Sequence, residues 1–326
     1  MRHHFGDLLD RDGDYWTIVP NRERYAHGIA TLPEDGTGVT IVTLGKLDTD
    51  WRRVLALPDL VELTLHEPSL DQLEAIAALQ GVRRLRVTHA RPKDIDFIGT
   101  MHGLEEVVLE YVSGFSDLAP LAGLPQLRAL HLENLRRVCS LGGLAGCATL
   151  RYLSVNGTCD WLQPVADFEF LRGLPALEVL SLWQFKCAAP WPAMLPATAL
   201  RHLKRLRLHG SYLPTAEYAL LEEILPGVDG ATWGPWHRNA QWRVELPEDD
   251  PRAALTDDEL RDRHPEVTLT DDGRQIEEEE SAWYEFTGRG AGRIKGNSAL
   301  AASRREEHAR CYEDMKRQAR ALLTGT

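Results

Sequence analysis

The sequence predicts an α/β solenoid, a stack of strand-and-turn units with a parallel sheet along one side. Leucine or another apolar residue recurs in the frame L-x-x-L-x-x-L-x-L, first at Leu57, Leu60, Leu63 and Leu65. The frame then returns every 22 to 27 residues, and a nearly fixed period of this length is the signature of repeat architectures. A chain of 326 residues is also long enough to bury a continuous core.

Seven copies of the frame are strong. They begin at Leu57, Leu79, Met101, Leu124, Cys147, Leu174 and Leu200. A weak eighth copy would consist of Leu225, Val228, Ala231 and Trp233. Within a copy the L-x-L pair alternates with period two, so that Leu63 and Leu65 point inward while Thr64 points outward. One short strand cannot bury its own face, and we therefore expect the copies to stack into a continuous core.

These repeats resemble the leucine-rich-repeat family over about residues 57–233, and the copies of 22 to 23 residues resemble the bacterial internalin-type unit. In that unit an Asp-apolar-x-x-apolar stretch leads into the next copy, as DIDFIG (94–99) and SDLAPLAGL (116–124) do here. The resemblance implies a leucine-rich-repeat horseshoe with its parallel sheet on the concave face. That face is the usual contact surface of the fold, although a fold alone does not define a function.

One position departs from the family pattern. The third residue after the last strand leucine is often asparagine in leucine-rich repeats, but here it is Pro68, Ala90, Val112, Leu135, Thr158, Phe185 or Ser211. A buried asparagine ladder is therefore absent. We expect water or apolar packing to replace it, because buried backbone groups need partners.

Segments on both sides of the repeats have other compositions. Residues 1–56 are expected to form an N-terminal cap with one strand and one helix, and residues 234–244 an aromatic C-terminal cap. Residues 245–280 carry a local charge of −11 and are expected to be an acidic, solvated and partly disordered linker. Residues 281–326, with a local charge of +4, should contain a strand, a Gly/Arg loop and a C-terminal amphipathic helix.

The predicted C-terminal helix has one apolar stripe. Ser298 is the expected N-cap. The stripe consists of His308, Cys311, Tyr312, Met315, Ala319, Leu322 and Leu323. We expect this stripe to dock either on the solenoid or on a partner.

Charge and composition narrow the function classes. The net charge of −12 should repel a phosphate backbone, which argues against nucleic acid as a partner. No apolar run has the length of a signal peptide or a membrane span. The five cysteines form no CxxC pair, which fits reduced thiols. A cytoplasmic location without membrane partners follows as the expectation.

Motifs for catalysis, metals or cofactors are weak. Asp10, Asp12 and Asp14 alternate as in a calcium loop, but Tyr15 stands where that loop requires glycine, and a turn is favoured. The outward histidines His66, His89, His131 and His209 have no metal-ligand spacing. No nucleophile or carboxylate motif stands out. We therefore expect a non-enzymatic chain without metal or cofactor.

The Gly/Arg loop invites an anion-binding interpretation. It contains Gly288, Gly290 and Gly292 together with Arg289, Arg293 and Lys295. Its glycines match neither of the two phosphate-binding patterns, GxxxxGK[ST] and GxGxxG. A flexible basic hinge is the favoured interpretation, and the anion site stays open as its alternative.

The outward side chains of the predicted sheet are the candidate binding surface. Exposed aromatic residues next to arginines are typical of interface hot spots. The candidate residues for binding a partner protein are Arg84, Arg86, Glu110, Tyr111, His131, Tyr152, Trp183, Arg205, Arg207 and His209. Two alternatives remain: an enzyme or enzyme subunit with its activity in residues 234–326, and a protein that neutralises a toxin or nuclease.

Overall fold

A computed structural model describes residues 27–240, 242–270, 273–278 and 281–325. The described residues form two compact units. The first, called the repeat unit, contains residues 27–212 and Ile224–Thr232. The second, called the C-terminal unit, contains Leu213–Glu223 and residues 233–325.

A parallel sheet of eight strands forms one side of the repeat unit. Its strands are Ile41–Gly45 (β1), Glu62–His66 (β2), Arg84–Thr88 (β3), Glu106–Glu110 (β4), Ala129–Glu133 (β5), Tyr152–Asn156 (β6), Val179–Trp183 (β8) and Arg205–Leu208 (β10). They pair in chain order, so each repeat adds one strand beside the previous one. Two short strands, Gln163–Val165 (β7) and Phe185–Cys187 (β9), pair separately. The predicted α/β solenoid is confirmed.

The inward leucines form the core of the repeat unit. Leu63 pairs in register with Leu85, and Leu130 pairs with Leu153. All four are fully buried. Burial of each such side chain contributes about 1.5–3 kcal/mol, and the continuous column of leucines therefore holds neighbouring repeats together.

Left-handed backbone replaces the missing asparagine ladder at the strand exits. The residue after the strand has a positive φ at Glu67, His89, Tyr111, Asn134 and Gln184. This geometry lets the amide of Glu67 donate to the carbonyl oxygen of Thr88 at 3.0 Å, and the amide of Tyr111 donate to that of Glu133 at 2.9 Å. The expected apolar packing is also present, because the residues that stand in place of the ladder asparagine are buried at Ala90, Val112, Leu135 and Phe185.

Short helical turns return the chain from each strand to the next. They are Leu70–Ala75 (α1), Asp96–Gly99 (α2) and the 3-10 turns Ile76–Ala78, Ala119–Gly123, Gly142–Gly146, Glu169–Gly173 and Leu195–Ala199. An aspartate starts several of them: the Asp117 carboxylate accepts from the Ala119 amide at 2.9 Å. The turns approach closely, since a Cβ at Gly173 would lie 1.9 Å from the Ala145 carbonyl oxygen.

Both ends of the eight-stranded sheet differ from the central repeats. Strand β1 and the 3-10 turn Trp51–Ala56 correspond to the strand and helix expected for the N-terminal cap. At the other end the weak eighth copy supplies no strand. Asp229 alone continues the ladder, because its carbonyl oxygen accepts from the Leu206 amide at 2.8 Å.

The C-terminal unit combines two small antiparallel sheets with helices. One sheet has the order β11-β15-β16 and the other β12-β14-β13. The strands are Trp236–Ala240 (β11), Arg243–Glu245 (β12), Thr268–Thr270 (β13), Gly273–Glu277 (β14), Ala282–Phe286 (β15) and Arg293–Lys295 (β16). The helices are Thr215–Ile224 (α3), which extends one residue beyond the unit, Asp257–Arg263 (α4) and Ala301–Thr324 (α5).

Two expectations about the C-terminal part differ from the structure. Within its described residues, the segment expected as an acidic linker contains α4, β13 and β14, and Leu260 and Val267 are buried there. The second expectation was that Ser298 is the N-cap of the C-terminal helix. In the structure the N-cap of α5 is Leu300. Its predicted stripe is only partly buried.

Helix α5 docks within its own unit. Tyr312 and Ala319 are buried, whereas Leu322 and Leu323 are each 37% exposed. The Lys316 ammonium lies 3.0 Å from the Glu222 carboxylate, and Arg320 lies 2.8 Å from Glu223. Near the C-terminal end of α5, where the apolar stripe is exposed, ion pairs therefore hold the helix against α3.

Candidate functional site

The outward side chains of the eight-stranded sheet lie in three rows, and the sheet face that they form is called the outward face. Strand pairing places Arg207 beside Ser181, and Ser181 beside Ser154. His131 follows beside Ser154. The middle row therefore contains two small serines between an imidazole and a guanidinium.

A cavity of about 640 Å³ lies on the outward face at strands β6, β8 and β10. It is lined by His131, Tyr152, Ser154, Asn156, Ser181, Trp183, Arg205, Leu206, Arg207, Asp229 and Gly230. The two serines form its floor, because their short side chains leave space between the longer side chains of the flanking strands. This volume lies within the range typical of ligand pockets.

Trp183 lines the cavity and belongs to an aromatic cluster beside it. The Trp183 ring meets the His209 ring edge-on at 5.9 Å and the Tyr212 ring at 5.7 Å. Tyr212 also packs against Phe185 at 5.5 Å. Trp183 nevertheless remains 48% exposed, so that its neighbours hold the indole in place while one face stays open to a ligand.

Two arginines also line the cavity. The Arg205 guanidinium lies 2.8 Å from the Asp229 carboxylate. Arg207 lies between the buried Leu206 and Leu208 and is itself half-buried. The cavity lining therefore contains two guanidiniums and one carboxylate.

Four of the ten predicted binding residues are not exposed. Arg86, Glu110, His131 and Tyr152 are at most 4% exposed, so these four predicted contact residues lie buried within the outward face. Strands in a sheet are about 4.8 Å apart, so long side chains on neighbouring strands cover one another. The Arg86 Nε donates to a Glu110 carboxylate oxygen at 2.8 Å.

The buried ion pair has an electrostatic cost. Burial raises the pKa of Glu110, and the charge of Arg86 opposes that shift. A desolvated pair of this kind contributes little net stability, but removal of one partner leaves an uncompensated charge. Arg86 and Glu110 therefore already satisfy each other's charge within the outward face.

The other six predicted residues keep solvent exposure and fall into two groups. Trp183, Arg205, Arg207 and His209 lie together at the cavity end of the sheet. Tyr111 and Arg84 lie nearer the N-terminal end, where the Tyr111 ring stacks on His89 at 4.9 Å and Arg84 lies 3.8 Å from Glu106. The cavity is therefore lined by the exposed Trp183 and the half-buried Arg205 and Arg207, together with the buried His131 and Tyr152, and His209 packs against Trp183.

Four polar cavity residues were not among the candidate binding residues from the sequence. Ser154, Ser181 and Asn156 lie at outward positions, but nothing in their residue type marks them as binding residues. Asp229 lies in the weak eighth copy. The only available signal was its position one repeat beyond Arg205, with which it pairs in parallel register.

The Gly/Arg loop is a hairpin turn between β15 and β16. The Ala291 amide donates to the Gly288 carbonyl oxygen at 3.1 Å, and the Phe286 amide donates to that of Gly292 at 3.0 Å. Arg293 covers the Trp283 ring at 4.6 Å. Gly288 has φ +125°, and a Cβ there would lie 2.0 Å from the Thr215 hydroxyl oxygen. The loop that was expected to be a flexible hinge therefore packs directly against the first residue of α3.

The remaining candidates are metal sites and membrane-spanning helices, and the described residues provide neither. Within them, no group of histidine, cysteine and acidic side chains could hold a metal ion. The calcium-like aspartates Asp10, Asp12 and Asp14 lie outside the described residues. Among the helices that are described, none is both long and apolar enough to cross a membrane.

Solved structures with repeats of the same kind resemble this chain over about half its length. Internalin C2 from Listeria monocytogenes is 24% identical, with a TM-score of 0.39, and the match covers 52% of this chain and 68% of that one. The internalin InlF of the same organism is 19% identical, with a TM-score of 0.35, over 55% of this chain and 62% of that one.

A leucine-rich-repeat protein from Leptospira interrogans is 16% identical, with a TM-score of 0.33, over 58% of this chain and 59% of that one. This chain thus spans less than two thirds of InlF and of the Leptospira protein. No family model matches the sequence. No curated protein matches it either.

The fold is decided by the repeat geometry itself, with one parallel strand per repeat and two inward leucine-type side chains per strand. The chain has a leucine-rich-repeat fold. In this leucine-rich-repeat array the cavity and the aromatic cluster beside it lie at the last three strands.

Proposed function

We propose that this chain is a non-enzymatic interaction module that binds a partner protein on the outward face at strands β6, β8 and β10. The observation that carries the proposal is Trp183, which is held by aromatic neighbours and still 48% exposed at the wall of a cavity. Tryptophan and arginine dominate the binding energy of protein interfaces. Trp183, Arg205 and Arg207 supply both types in one place.

The burial of the central outward face supports this location. Arg86, Glu110 and His131 are occupied with one another or with their neighbours, as the Arg86–Glu110 pair illustrates. A partner gains little from side chains that are already desolvated and paired. The accessible aromatic and cationic groups are concentrated at the cavity.

Site-specific photo-crosslinking tests the proposal. A photoreactive amino acid in place of Trp183 is compared with the same amino acid in place of Arg172, whose side chain is 49% exposed on a helical turn away from the sheet. We expect one protein to be cross-linked from position 183 and not from position 172. Equal cross-linking at both positions, or none at 183, would contradict the proposal.

We further propose a bacterial, cytoplasmic protein. The support is the internalin-type repeat and the cysteines, since Cys139, Cys147, Cys159, Cys187 and Cys311 are all free thiols. Burial raises the pKa of the Cys147 thiol to about 11, which keeps it protonated and inert. Fractionation of the source cell, followed by detection of the chain with an antibody, tests the location.

A further inference from the structure

We propose that a second cavity of the repeat unit, called the basic cavity, binds a phosphoryl group, either as free phosphate or on a small phosphorylated molecule. Its volume is about 290 Å³, and it is lined by Arg91, Pro92, Lys93, Ser113, Gly114 and Arg137. These residues lie in the turns that follow strands β3, β4 and β5. The basic cavity shares no lining residue with the cavity at strands β6, β8 and β10, and the inference does not depend on partner binding there.

Short side chains in the middle of three consecutive repeats make room for the basic cavity. At equivalent positions the first turn reads Arg-Pro-Lys (91–93), the second Ser-Gly (113–114) and the third Arg-Arg (136–137). Gly114 has φ +118°, and a Cβ there would lie 2.2 Å from the Pro92 carbonyl oxygen. Because any other residue would push these two turns apart, Gly114 allows the close approach that gathers the basic side chains around one gap.

The lining carries three cations and no carboxylate. Neither Arg91 nor Lys93 forms an ion pair with any residue that the structure describes. Asp94, which follows Lys93 in the chain, lies outside the lining, and its carboxylate accepts from the Asp96 amide at 3.3 Å. In a chain with a net charge of −12, three cations around one cavity without a counter-ion in its lining favour an anionic ligand.

Arg137 keeps donors available for such a ligand. Its guanidinium donates to the Gly114 carbonyl oxygen at 3.4 Å. Within the described residues no other hydrogen bond involves this side chain, and a guanidinium has five N–H donors. The single long contact therefore places the group at the cavity and leaves most of its donors for bound oxygen atoms.

The arrangement of donors favours a phosphoryl group over a carboxylate. The first and third turns are two repeats apart, or about 10 Å at the spacing of neighbouring strands, so that long basic side chains from both sides can close on one group. The Ser113 hydroxyl adds a neutral donor between them. A phosphate monoester carries a charge of about −1.5 to −2 and three acceptor oxygens, whereas a carboxylate has one charge and two oxygens.

The size of the cavity and the charge of the chain limit the ligand to a small molecule. A volume of about 290 Å³ corresponds to the lower end of the range for ligand pockets. The net charge of −12 would repel a long polyanion such as a nucleic acid. The expected ligand is therefore a single phosphoryl group, free or on a small molecule.

Titration calorimetry on the full chain tests the inference with two probes, inorganic phosphate and phenyl phosphate. Sodium chloride keeps the ionic strength constant, because salt screens exposed charges. We expect saturable binding, weakened about fivefold or more by Arg137→Gln and by Lys93→Gln. Arg201→Gln is the matched control: Arg201 is also exposed but lies outside the cavity, and its loss should change the affinity by less than about twofold.

A further variant fills the basic cavity without changing the net charge. Ser113→Leu should abolish the binding of both probes and leave thermal unfolding nearly unchanged, because Ser113 is partly exposed in a turn outside the leucine core. The two probes also distinguish the source of the phosphoryl group. Tighter binding of phenyl phosphate would support an ester as the ligand, and tighter binding of inorganic phosphate would support the free ion.

Three results would overturn the inference. They are the absence of saturable binding of both probes, wild-type affinity in Arg137→Gln, Lys93→Gln and Ser113→Leu alike, and equal weakening by Arg201→Gln. None of them bears on cross-linking from position 183, so the proposed partner binding stands or falls separately.

Discussion

At the scale of single residues, Trp183 and Arg207 are predicted to carry partner binding without carrying the fold. Trp183 follows the inward Leu182, and Arg207 lies between the inward Leu206 and Leu208, so both side chains point away from the core. Trp183→Ala and Arg207→Ala should each cost about 2 kcal/mol or more of binding free energy, a loss of affinity of about thirtyfold. Titration calorimetry with the captured partner measures this.

Thermal unfolding of the same variants separates binding from stability. We expect the melting temperature to change by only a few degrees, because neither substitution opens a cavity in the leucine core. Arg172→Ala serves as the surface control, and it should leave the affinity unchanged. Unchanged affinity in both Trp183→Ala and Arg207→Ala would exclude this end of the sheet as the binding site.

Glu178 makes a pH-dependent contribution to stability. Hydrogen bonds from Arg151 and Lys204, each at 2.6 Å, lower the pKa of this carboxyl group from 4.5 to about 2. A depressed pKa in the folded state stabilises the protein above the unfolded pKa, and that contribution is lost as the pH falls from 4.5 towards 2. Glu178→Gln should therefore be less stable than the wild type at neutral pH.

Urea unfolding between neutral pH and about pH 3 measures this effect. The difference in unfolding free energy between the wild type and Glu178→Gln should shrink as the pH falls. The difference in unfolding free energy between the wild type and Lys204→Gln should also shrink as the pH falls. It should be smaller, because this variant removes only one of the two hydrogen bonds to Glu178. A difference that stays constant over this range would contradict the assignment of the shift to these contacts.

At the scale of elements, each central strand contributes two inward side chains to the core. These side chains pack beside the inward side chains of the two neighbouring strands. Leu130 in β5 is fully buried in the middle of the array and pairs with Val107 on one side and Leu153 on the other. Leu130→Ala should cost about 2–5 kcal/mol of unfolding free energy, because it leaves a cavity that the flanking strands cannot fill. Chemical denaturation measures the loss.

A volume-conserving substitution is the matched control for this prediction. Leu130→Met should cost less than about 1.5 kcal/mol, since it keeps the apolar volume. Nearest-neighbour coupling should spread the effect of Leu130→Ala through the repeat unit as one transition. An unfolding curve equal to that of the wild type would show that the assigned repeat register is wrong.

At the scale of the whole molecule, the second small sheet is inserted into a hairpin of the C-terminal unit. Strands β11 and β15 pair antiparallel, ending with Ala240 opposite Ala282. Residues 241–281 lie between these two paired alanines, and a two-residue Asn-Gly turn can join paired strand ends directly. Replacement of residues 241–281 by Asn-Gly should leave the β11–β15 pair and helix α5 folded.

Circular dichroism and thermal unfolding check this replacement. Arg238 would lose its ion pair with Glu277, and this pair is partly exposed, so the expected cost is at most about 1 kcal/mol. The helical signal of α5 and the unfolding transition of the repeat unit should both remain. Insoluble protein, or loss of the α5 signal, would make the inserted sheet an integral part of the unit.

The sequence by itself determined the repeat period and the two faces of each strand. The inward positions Leu63, Leu130 and Leu206 and the outward positions Trp183 and Arg207 all agree with strand pairing. These features are predictable because side-chain alternation is a local property of an extended chain. The periodic leucines then repeat that local property along the whole array.

Only the tertiary structure decided which outward residues are accessible and where the cavity lies. Arg86 and Glu110 are buried because each meets the other from a different repeat, and Ser154 and Ser181 form a floor because two short side chains fall side by side. Asp229 completes the site from beyond the last strand. These outcomes depend on side-chain lengths and charges in neighbouring repeats, 22 to 27 residues apart in the chain, and no local pattern encodes them.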